Sequence, residues 1–154
     1  MSADPASPAT GPVPATLAAV VHQDRILLIR RANRPDAGRW AFPGGKIRPG
    51  ETIHAAAHRE LREETGVQGQ ALHIFDALDV FDREPSPTPP SYPHFILIAV
   101  LFQWQSGSAQ AADDALDACW FTEAELDALE VAHSLDVRGL ARRALALAAS
   151  CRTA

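Results

Sequence analysis

The chain has 154 residues, of which 47% are hydrophobic and 21% charged, and its formal net charge at pH 7 is −5. This size and composition are typical of one globular domain with a hydrophobic core of its own. No apolar run approaches the ~20 residues that span a bilayer, so no membrane association is expected. The negative charge argues against a nucleic-acid polymer as the main partner.

The N-terminal segment predicts a disordered tail over residues 1–13, followed by a single domain over residues 14–150. The tail is rich in Pro, Ala and Ser and lacks the basic region and continuous apolar stretch of a secretory signal. The only two cysteines, Cys119 and Cys151, make a poor disulfide framework. A reducing, cytoplasmic location is therefore expected.

The first third of the domain predicts a β-hairpin and a glycine-containing turn. Two β-rich runs, Thr16–His22 and Ile26–Arg31, are separated by three residues, as in a hairpin. Residues 33–39 contain Pro, Asp and Gly and predict a loop. The short apolar piece Trp40–Phe42 then leads to the pair Gly44–Gly45, expected to adopt backbone conformations closed to other residues and to let a ligand approach the main chain.

Residues 52–65 give the clearest helix prediction. Thr52 is suited to cap its start, three consecutive alanines favour helix, and Gly66 supplies a C-terminal stop. Ile53, Ala57 and Leu61 recur every fourth residue, which predicts the stripe that faces the core.

The second half of the chain predicts more strands and a terminal helix. Residues 83–93 are rich in proline, which excludes regular structure and predicts a surface loop that could act as a substrate lid. Phe95–Trp104 is strongly apolar and predicts a strand buried on both faces. The order of elements indicates an α/β or α+β sandwich. The other predicted elements are the strands Ala71–Phe81 and Ala118–Phe121, a short helix after Thr122, and a helix over Val137–Ala149.

Charges are distributed unevenly along the chain. The segment from Arg30 to Arg48 carries six basic residues opposed only by Asp36, and glutamates follow immediately. Such an arrangement suits an anionic substrate bridged to protein carboxylates by cations. Glu60 and Glu64 are four residues apart and share one face of the predicted helix. Their repulsion costs a few tenths of a kcal/mol in an isolated helix, and a divalent ion between the oxygens overcomes it.

Oxygen ligands without His or Cys suit Mg²⁺ or Mn²⁺ rather than zinc. The segment Gly45–Val67, GKIRPGETIHAAAHRELREETGV, then resembles the Nudix box at every fixed position: Gly45, five residues, Glu51, seven residues, Arg59-Glu60-Leu61, one residue, Glu63-Glu64, one residue, Gly66-Val67. Residues 30–33 and 38–45 further resemble a subgroup often described as ADP-ribose pyrophosphatase-like. The resemblance implies a Nudix-type α/β/α sandwich with a mixed β-sheet. It also implies Mg²⁺-dependent cleavage of a pyrophosphate bond.

The family's roles transfer to matching positions of this sequence. The metal ligands implied are Gly45 through its carbonyl, Glu60, Glu63, Glu64 and, from the downstream loop, Asp114. The catalytic residues implied are Glu63, Glu64, Arg59 and Glu51, with Arg59 orienting carboxylates because a guanidinium forks onto them. Asp114 is an alternative general base.

Charged and aromatic residues outside the box are further candidates for substrate binding. The set is Arg30, Arg31 and Arg39 for phosphate oxygens, Trp40 and Phe42 for a base, and Tyr92 beside the proline-rich loop. Because alternate side chains of a strand face opposite ways, one of Arg30 and Arg31 must point away from the other. Core packing remains an alternative for Trp40 and Phe42, and loop anchoring for Tyr92.

Three functional hypotheses remain at this point. The first is hydrolysis of a nucleoside diphosphate linked to another moiety, with ADP-ribose giving AMP and ribose 5-phosphate. The second is a MutT-type nucleoside triphosphate pyrophosphohydrolase. Below both ranks a coenzyme A pyrophosphatase, whose signature Arg34, Gly38 and Phe42–Gly45 faintly resemble, because Ile29 and Arg30 depart from its earlier positions. The third, from another class, is a non-catalytic nucleotide-sensing module on the same fold. The expected partner is a small nucleotide-like molecule, and a homodimer is suggested only by analogy.

Overall fold

The computed structural model describes residues 11–85 and 94–153 of the chain. Within these residues seven strands form one mixed sheet. In chain order the elements are β1 (Val13–His22), β2 (Arg25–Arg31), β3 (Trp40–Ala41), β4 (Gly44–Lys46), α1 (Ile53–Thr65), β5 (Gln68–Phe81), β6 (His94–Ser106), β7 (Ala115–Thr122), a 3₁₀ turn (Glu123–Ala128) and α2 (Val137–Thr153).

Strand β1 is the centre of the sheet. It runs antiparallel to β2 near His22 and antiparallel to β4 at Ala15–Leu17. On its other side it runs parallel to β6, which pairs antiparallel with β5 at the edge. Strands β3 and β7 both pair with β2. The early end of β1 therefore lies among β4, β6 and the end of β5.

The two helices cover opposite faces of the sheet because side chains alternate along β1. Ala18 and Val20 face α1 and pack in one cluster with Leu61. Leu17 and Ala19 face the other way and pack in a second cluster with residues of α2. Helix, sheet and helix thus form three layers, which confirms the predicted α/β/α sandwich with a mixed sheet.

Helix α1 has the ends that the sequence predicts. The Thr52 hydroxyl accepts a hydrogen bond from the Ala55 N–H at 3.1 Å, which satisfies one of the unpaired donors of the first turn. Gly66 lies in the left-handed region with φ +73°, and its N–H donates to the Arg62 carbonyl. These caps fix where the acidic side chains of the helix stand relative to the sheet.

The prediction that Phe95–Trp104 is buried on both faces is wrong for its first half. Only Ala99–Phe102 is continuously buried, and Ile96 is 39% exposed. The helices cover the middle of the sheet, whereas Phe95 and Leu97 line a cleft at its end.

The expectation for the glycine pair also needs correction. Gly44 and Gly45 form strand β4 rather than a turn, and neither has a positive φ. Gly44 is required because a Cβ there would lie 2.2 Å from the Thr16 carbonyl oxygen of β1. The requirement is close approach of the backbone to its neighbours, not an unusual backbone conformation.

Parts of the predicted loop and tail lie outside the described residues. These are residues 1–10 of the expected tail, and residues 86–93 with Tyr92. Strand β1 begins at Val13, the last residue assigned to the tail, and α2 continues beyond residue 150. Among the described helices none is both long and apolar enough to cross a bilayer.

Candidate active site

A cleft of about 840 Å³ opens where the early end of β1 meets β4, β6 and the end of β5. Gly44 and Gly45 of β4, on one side of β1, line it together with Glu60 and Glu64 of α1, and this part is the carboxylate end. Val80, Phe95 and Leu97 of β5 and β6, on the other side of β1, line the apolar end. A cleft of this size, lined by apolar side chains together with polar and charged ones, is typical of small-molecule sites.

Glu64 is the most unusual side chain at the carboxylate end. It is only 3% exposed, although it is acidic. Its Oε1 accepts a 3.4 Å hydrogen bond from the Gly44 N–H, and its Oε2 has no hydrogen-bond partner among the described residues. Burial first, and then the neighbouring Glu60 carboxylate, raise the pKa of Glu64. A carboxyl group buried in this way either takes up a proton or is stabilised as the anion by a nearby cation.

Glu60 stands beside Glu64 because helix α1 places residues four apart on one face. Its carboxylate lies against Gly45, where a Cβ would come within 2.6 Å of the Glu60 carboxylate carbon. Gly45 thus leaves room for the carboxylate beside the strand.

Arg59 is the centre of an ion-pair network on the same helix. Its Nε donates to Glu51 Oε2 at 2.6 Å and its Nη2 to Glu51 Oε1 at 2.8 Å. Its Nη1 donates to Glu60 at 2.7 Å and to Glu63 at 3.3 Å. These contacts with Arg59, followed by the Arg48 N–H, lower the pKa of Glu51 to about 2. The prediction that Arg59 forks onto a carboxylate is confirmed, and Glu51 is the residue that receives both arms.

The oxygen atoms at the carboxylate end determine which cation this site fits. In residues 11–85 and 94–153, no three His, Cys, Asp or Glu side chains lie close enough together to hold a metal ion by themselves. Glu63, which the family would make a ligand, is turned toward Arg59. Even so, the unpartnered Glu64 Oε2 and the adjacent Glu60 carboxylate form an all-oxygen pair, which fits Mg²⁺ or Mn²⁺.

Asp114 reaches the same cleft from the loop before β7. Its Oδ1 accepts a 2.9 Å hydrogen bond from the Asn33 side-chain amide, and its carbonyl accepts from the Ala32 N–H at 3.0 Å. The loop after β2 therefore holds Asp114 in the cleft wall. The structure brings together Gly45, Glu60, Glu64 and Asp114 as lining residues, although they come from three separate parts of the chain.

Of the three arginines considered for phosphate binding, only Arg31 lines the cleft. Its Nε donates to the Pro35 carbonyl at 2.7 Å, which fixes the side chain. Arg30 precedes it on β2 and is not among the lining residues, as strand alternation leads one to expect. Arg39 donates to the Val131 carbonyl at 3.4 Å and lines a separate, smaller hollow.

The two aromatic residues near the glycine pair have different positions. Trp40 packs edge-on against Phe121, with ring centroids 5.0 Å apart, and is not among the residues that line the cleft. Phe42 is 4% exposed and belongs to the core cluster under α2, yet it also lines the cleft. Trp40 therefore packs in the protein as the core-packing alternative expects. Phe42 packs in the core and also forms part of the cleft wall.

Sequence reasoning missed several polar residues of the cleft wall, among them Arg34 and Asp82. Arg34 Nε and Nη2 donate to the two Asp82 oxygens at 2.8 and 2.9 Å. Asp82 is 7% exposed. The sequence feature that could have indicated Asp82 is its position directly after the predicted strand Ala71–Phe81. Its partner Arg34 is 48 residues away. Sequence spacing alone does not pair residues that far apart.

A NUDIX domain model matches residues 11–142, which is most of the chain and includes the whole acidic segment. The chain belongs to the Nudix family. It is a Nudix hydrolase, and its relatives support a pyrophosphohydrolase rather than the non-catalytic module considered above.

Two curated relatives indicate the range of substrates among similar proteins. An ADP-ribose pyrophosphatase from Methanocaldococcus jannaschii is 32% identical over 124 residues, which is 80% of this chain and 70% of that protein. A putative 8-oxo-dGTP diphosphatase 2 from Mycobacterium tuberculosis is 36% identical over 110 residues, 70% of this chain and 72% of that one.

A solved structure supports the fold. It is a bifunctional NMN adenylyltransferase/ADP ribose pyrophosphatase from Francisella tularensis, complexed with AMP and a manganese ion. The TM-score is 0.61 at 31% identity, over 75% of this Nudix hydrolase and 35% of that chain.

Proposed function

We propose that this Nudix hydrolase splits, with Mg²⁺ or Mn²⁺, the pyrophosphate bond of a nucleoside diphosphate linked to another moiety. ADP-ribose, giving AMP and ribose 5-phosphate, is the favoured substrate. The observation that carries the proposal is the buried, unpartnered oxygen of Glu64 beside Glu60 at one end of a cleft whose other end is apolar. In such a substrate the phosphates would lie at the carboxylate end, and the flat base of the nucleoside would lie against apolar side chains.

Glu60 and Glu64 are the proposed principal metal ligands, with the Gly45 carbonyl, Asp114 and Glu63 as further candidates. A cation bound by these residues would neutralise phosphate oxygens and lower the pKa of a water molecule. The chain's own residues do the rest. Arg31, whose charge counteracts the raised pKa of Glu64, is placed to bind non-reacting phosphate oxygens. The Asp114 carboxylate, held by Asn33, is the proposed proton acceptor.

Arg59 and Glu51 are proposed to act indirectly. Neither is among the residues that line the cleft, and their mutual ion pair fixes where Glu60 can stand. A ligand that is held in one orientation binds metal more tightly than one that must be ordered on binding.

The relative that acts on 8-oxo-dGTP keeps a second substrate class in consideration, because its identity to this chain is similar. All of these substrates share the phosphates that the carboxylate end would bind. These substrates differ in the groups attached to the phosphates, which we propose are recognised at the other end of the cleft.

A substrate panel with identified products tests the proposal. Purified protein with Mg²⁺ should convert ADP-ribose to AMP and ribose 5-phosphate, with much lower turnover of ordinary and oxidised nucleoside triphosphates. Turnover of triphosphates alone, releasing pyrophosphate, would support the MutT-type reaction instead.

The role of the carboxylates has a matched control. Glu64→Gln should lower kcat by about a hundredfold or more, and weaken Mn²⁺ binding measured by calorimetry. Glu123→Gln removes a charge from an exposed glutamate outside the cleft and should leave both unchanged. Equal activity of Glu64→Gln and wild type would exclude the proposed metal site.

A further inference from the structure

The Arg34–Asp82 pair lies in the cleft wall, and the mechanism above leaves it without a role. Both residues line the cleft, next to Val80 and Phe95 of its apolar end. Val80 and Phe95 are direct partners across β5 and β6, so the pair stands at the mouth of that apolar surface. The pair is therefore at the end of the cleft opposite Glu60 and Glu64.

The arginine is held unusually firmly for a residue in a loop. Its Nε and Nη2 bind the two Asp82 oxygens, and Nη2 also donates to the Glu84 carbonyl at 2.8 Å. Glu84 in turn accepts the Asp36 N–H with its carboxylate at 2.5 Å. These contacts leave the two N–H groups of Nη1 without a partner among the described residues, on a guanidinium of fixed orientation.

Charge distinguishes Arg34 from Arg31, which also lines the cleft. Arg34 is paired with a buried carboxylate, so the pair has no net charge. The Arg31 side chain donates to the Pro35 carbonyl and has no carboxylate partner among the described residues. Across β2 and β7, Arg31 pairs with Ala115, the neighbour of Asp114, while Pro35 is the neighbour of Arg34. Arg31 therefore lies between Asp114 and Arg34 in the cleft wall.

A substrate whose phosphates lie at the carboxylates and Arg31 extends its nucleoside toward Arg34. A guanidinium whose charge is neutralised by a carboxylate attracts phosphate less strongly than an arginine without such a partner. A fixed guanidinium beside apolar side chains is instead suited to a flat aromatic ring, through its planar face and through donors to ring acceptors.

We propose that Arg34 is a specificity-determining residue that contacts the nucleobase of the substrate, and that Asp82 is the residue that positions it. This inference rests on the proposed function, since it takes the phosphates to lie at Glu60 and Glu64. It goes beyond that function by assigning the base to a particular place in the cleft.

The test separates the two ends of the substrate by using the two products as inhibitors. Arg34→Lys keeps the charge but loses the planar fork. It should raise KM for ADP-ribose about tenfold with kcat changed less than twofold, and raise the inhibition constant of AMP about tenfold. The inhibition constant of ribose 5-phosphate should be unchanged. Asp82→Asn should give the same pattern in weaker form, and Asp82→Glu should restore part of it.

A second arginine of the chain provides a matched control. Arg143 donates to Asp76 at 2.8 Å and to the Phe75 carbonyl at 3.0 Å, an arrangement similar to that of Arg34, but outside the cleft. Arg143→Lys and Asp76→Asn should leave KM, kcat and both inhibition constants unchanged. Thermal melting of every variant shows whether an effect comes from loss of folding.

Failure of the inference and failure of the proposed function give different results. Wild type that turns over ADP-ribose while Arg34→Lys keeps its KM and AMP inhibition overturns the role of Arg34. A change in ribose 5-phosphate inhibition instead of AMP inhibition overturns it too, because Arg34 would then contact the other end. Wild type that binds AMP in calorimetry but hydrolyses no pyrophosphate overturns the proposed function alone. Wild type that does not bind AMP overturns both.

Discussion

Arg59 binds both carboxylate oxygens of Glu51, through Nε at 2.6 Å and Nη2 at 2.8 Å. The two residues are eight positions apart, on helix α1 and in the loop before it. The same guanidinium contacts Glu60 and the Lys46 carbonyl of β4. One side chain thus joins the loop, the helix and the strand that together form the carboxylate end of the cleft.

Replacing Arg59 by lysine should disrupt this end while leaving the helix intact. Lysine has a point charge and no fork, so it holds fewer of the four partners. We expect kcat to fall about tenfold to a hundredfold and the Mg²⁺ needed for half-maximal activity to rise. The measurement is a metal titration of activity. Arg62→Lys, an exposed position on the same helix, serves as the control, and equal losses in both variants would contradict a specific role for Arg59.

Local patterns predicted most elements of the fold, β4 excepted, and the side chains of the carboxylate end. Thr52 and Gly66 marked the ends of α1, and the four-residue spacing of Glu60 and Glu64 placed them together. The caps and this spacing are determined by residues that are close together in the sequence. The resemblance to the Nudix box added Gly45 and Glu51, which precede the helix, to the predicted site.

Contacts between distant segments were not predictable in the same way. Arg34 meets Asp82 only because β5 ends beside the loop after β2, which depends on the strand order. The burial of β6 depends on how far the helices extend over the sheet. The role of Gly44 depends on the distance of β4 from β1. A single sequence contains the residue types but not these distances.

Gly44→Ala should destabilise the fold strongly. The added Cβ would lie 2.2 Å from the Thr16 carbonyl oxygen and 2.9 Å from the Leu17 Cα, and both are backbone atoms of the central strand. Overpacking against atoms that cannot rotate away costs about 1–3 kcal/mol or more. Urea unfolding measures the loss. Gly11→Ala, where nothing lies within 4 Å of the added atom, should show no change.

The Asp82–Arg34 pair should make stability depend on acid pH. Hydrogen bonds from Arg34 lower the pKa of Asp82 in the folded protein below its value of about 3.9 in the unfolded chain. The pair therefore stabilises the folded state fully above that unfolded value, and the contribution is lost as pH falls through the folded pKa. Unfolding free energies measured between pH 6 and pH 3 should fall less steeply in Asp82→Asn than in wild type. Parallel curves would contradict the assignment.

Asp36→Asn should loosen the segment that leads into α2. Asp36 is 5% exposed, and its carboxylate accepts the His133 N–H at 2.8 Å, the Ser134 N–H at 3.2 Å and the Ser134 hydroxyl at 2.5 Å. Its φ is +68°, a conformation that asparagine also tolerates. The substitution therefore removes charge and one acceptor without adding backbone strain. Because buried hydrogen bonds to a charged group are lost, we expect about 1–3 kcal/mol of destabilisation in urea unfolding.

The Asp36 prediction can be separated from a general loss of stability through its partner. Ser134→Ala removes one of the same hydrogen bonds, so the effects of Asp36→Asn and Ser134→Ala should not add in the double variant. Amide exchange should speed up at residues 133 and 134 more than in the middle of β1. Because Ser134 and Leu135 also line the cleft, KM should rise in both single variants. Additive losses with uniform exchange would mean that Asp36 acts only on its own loop.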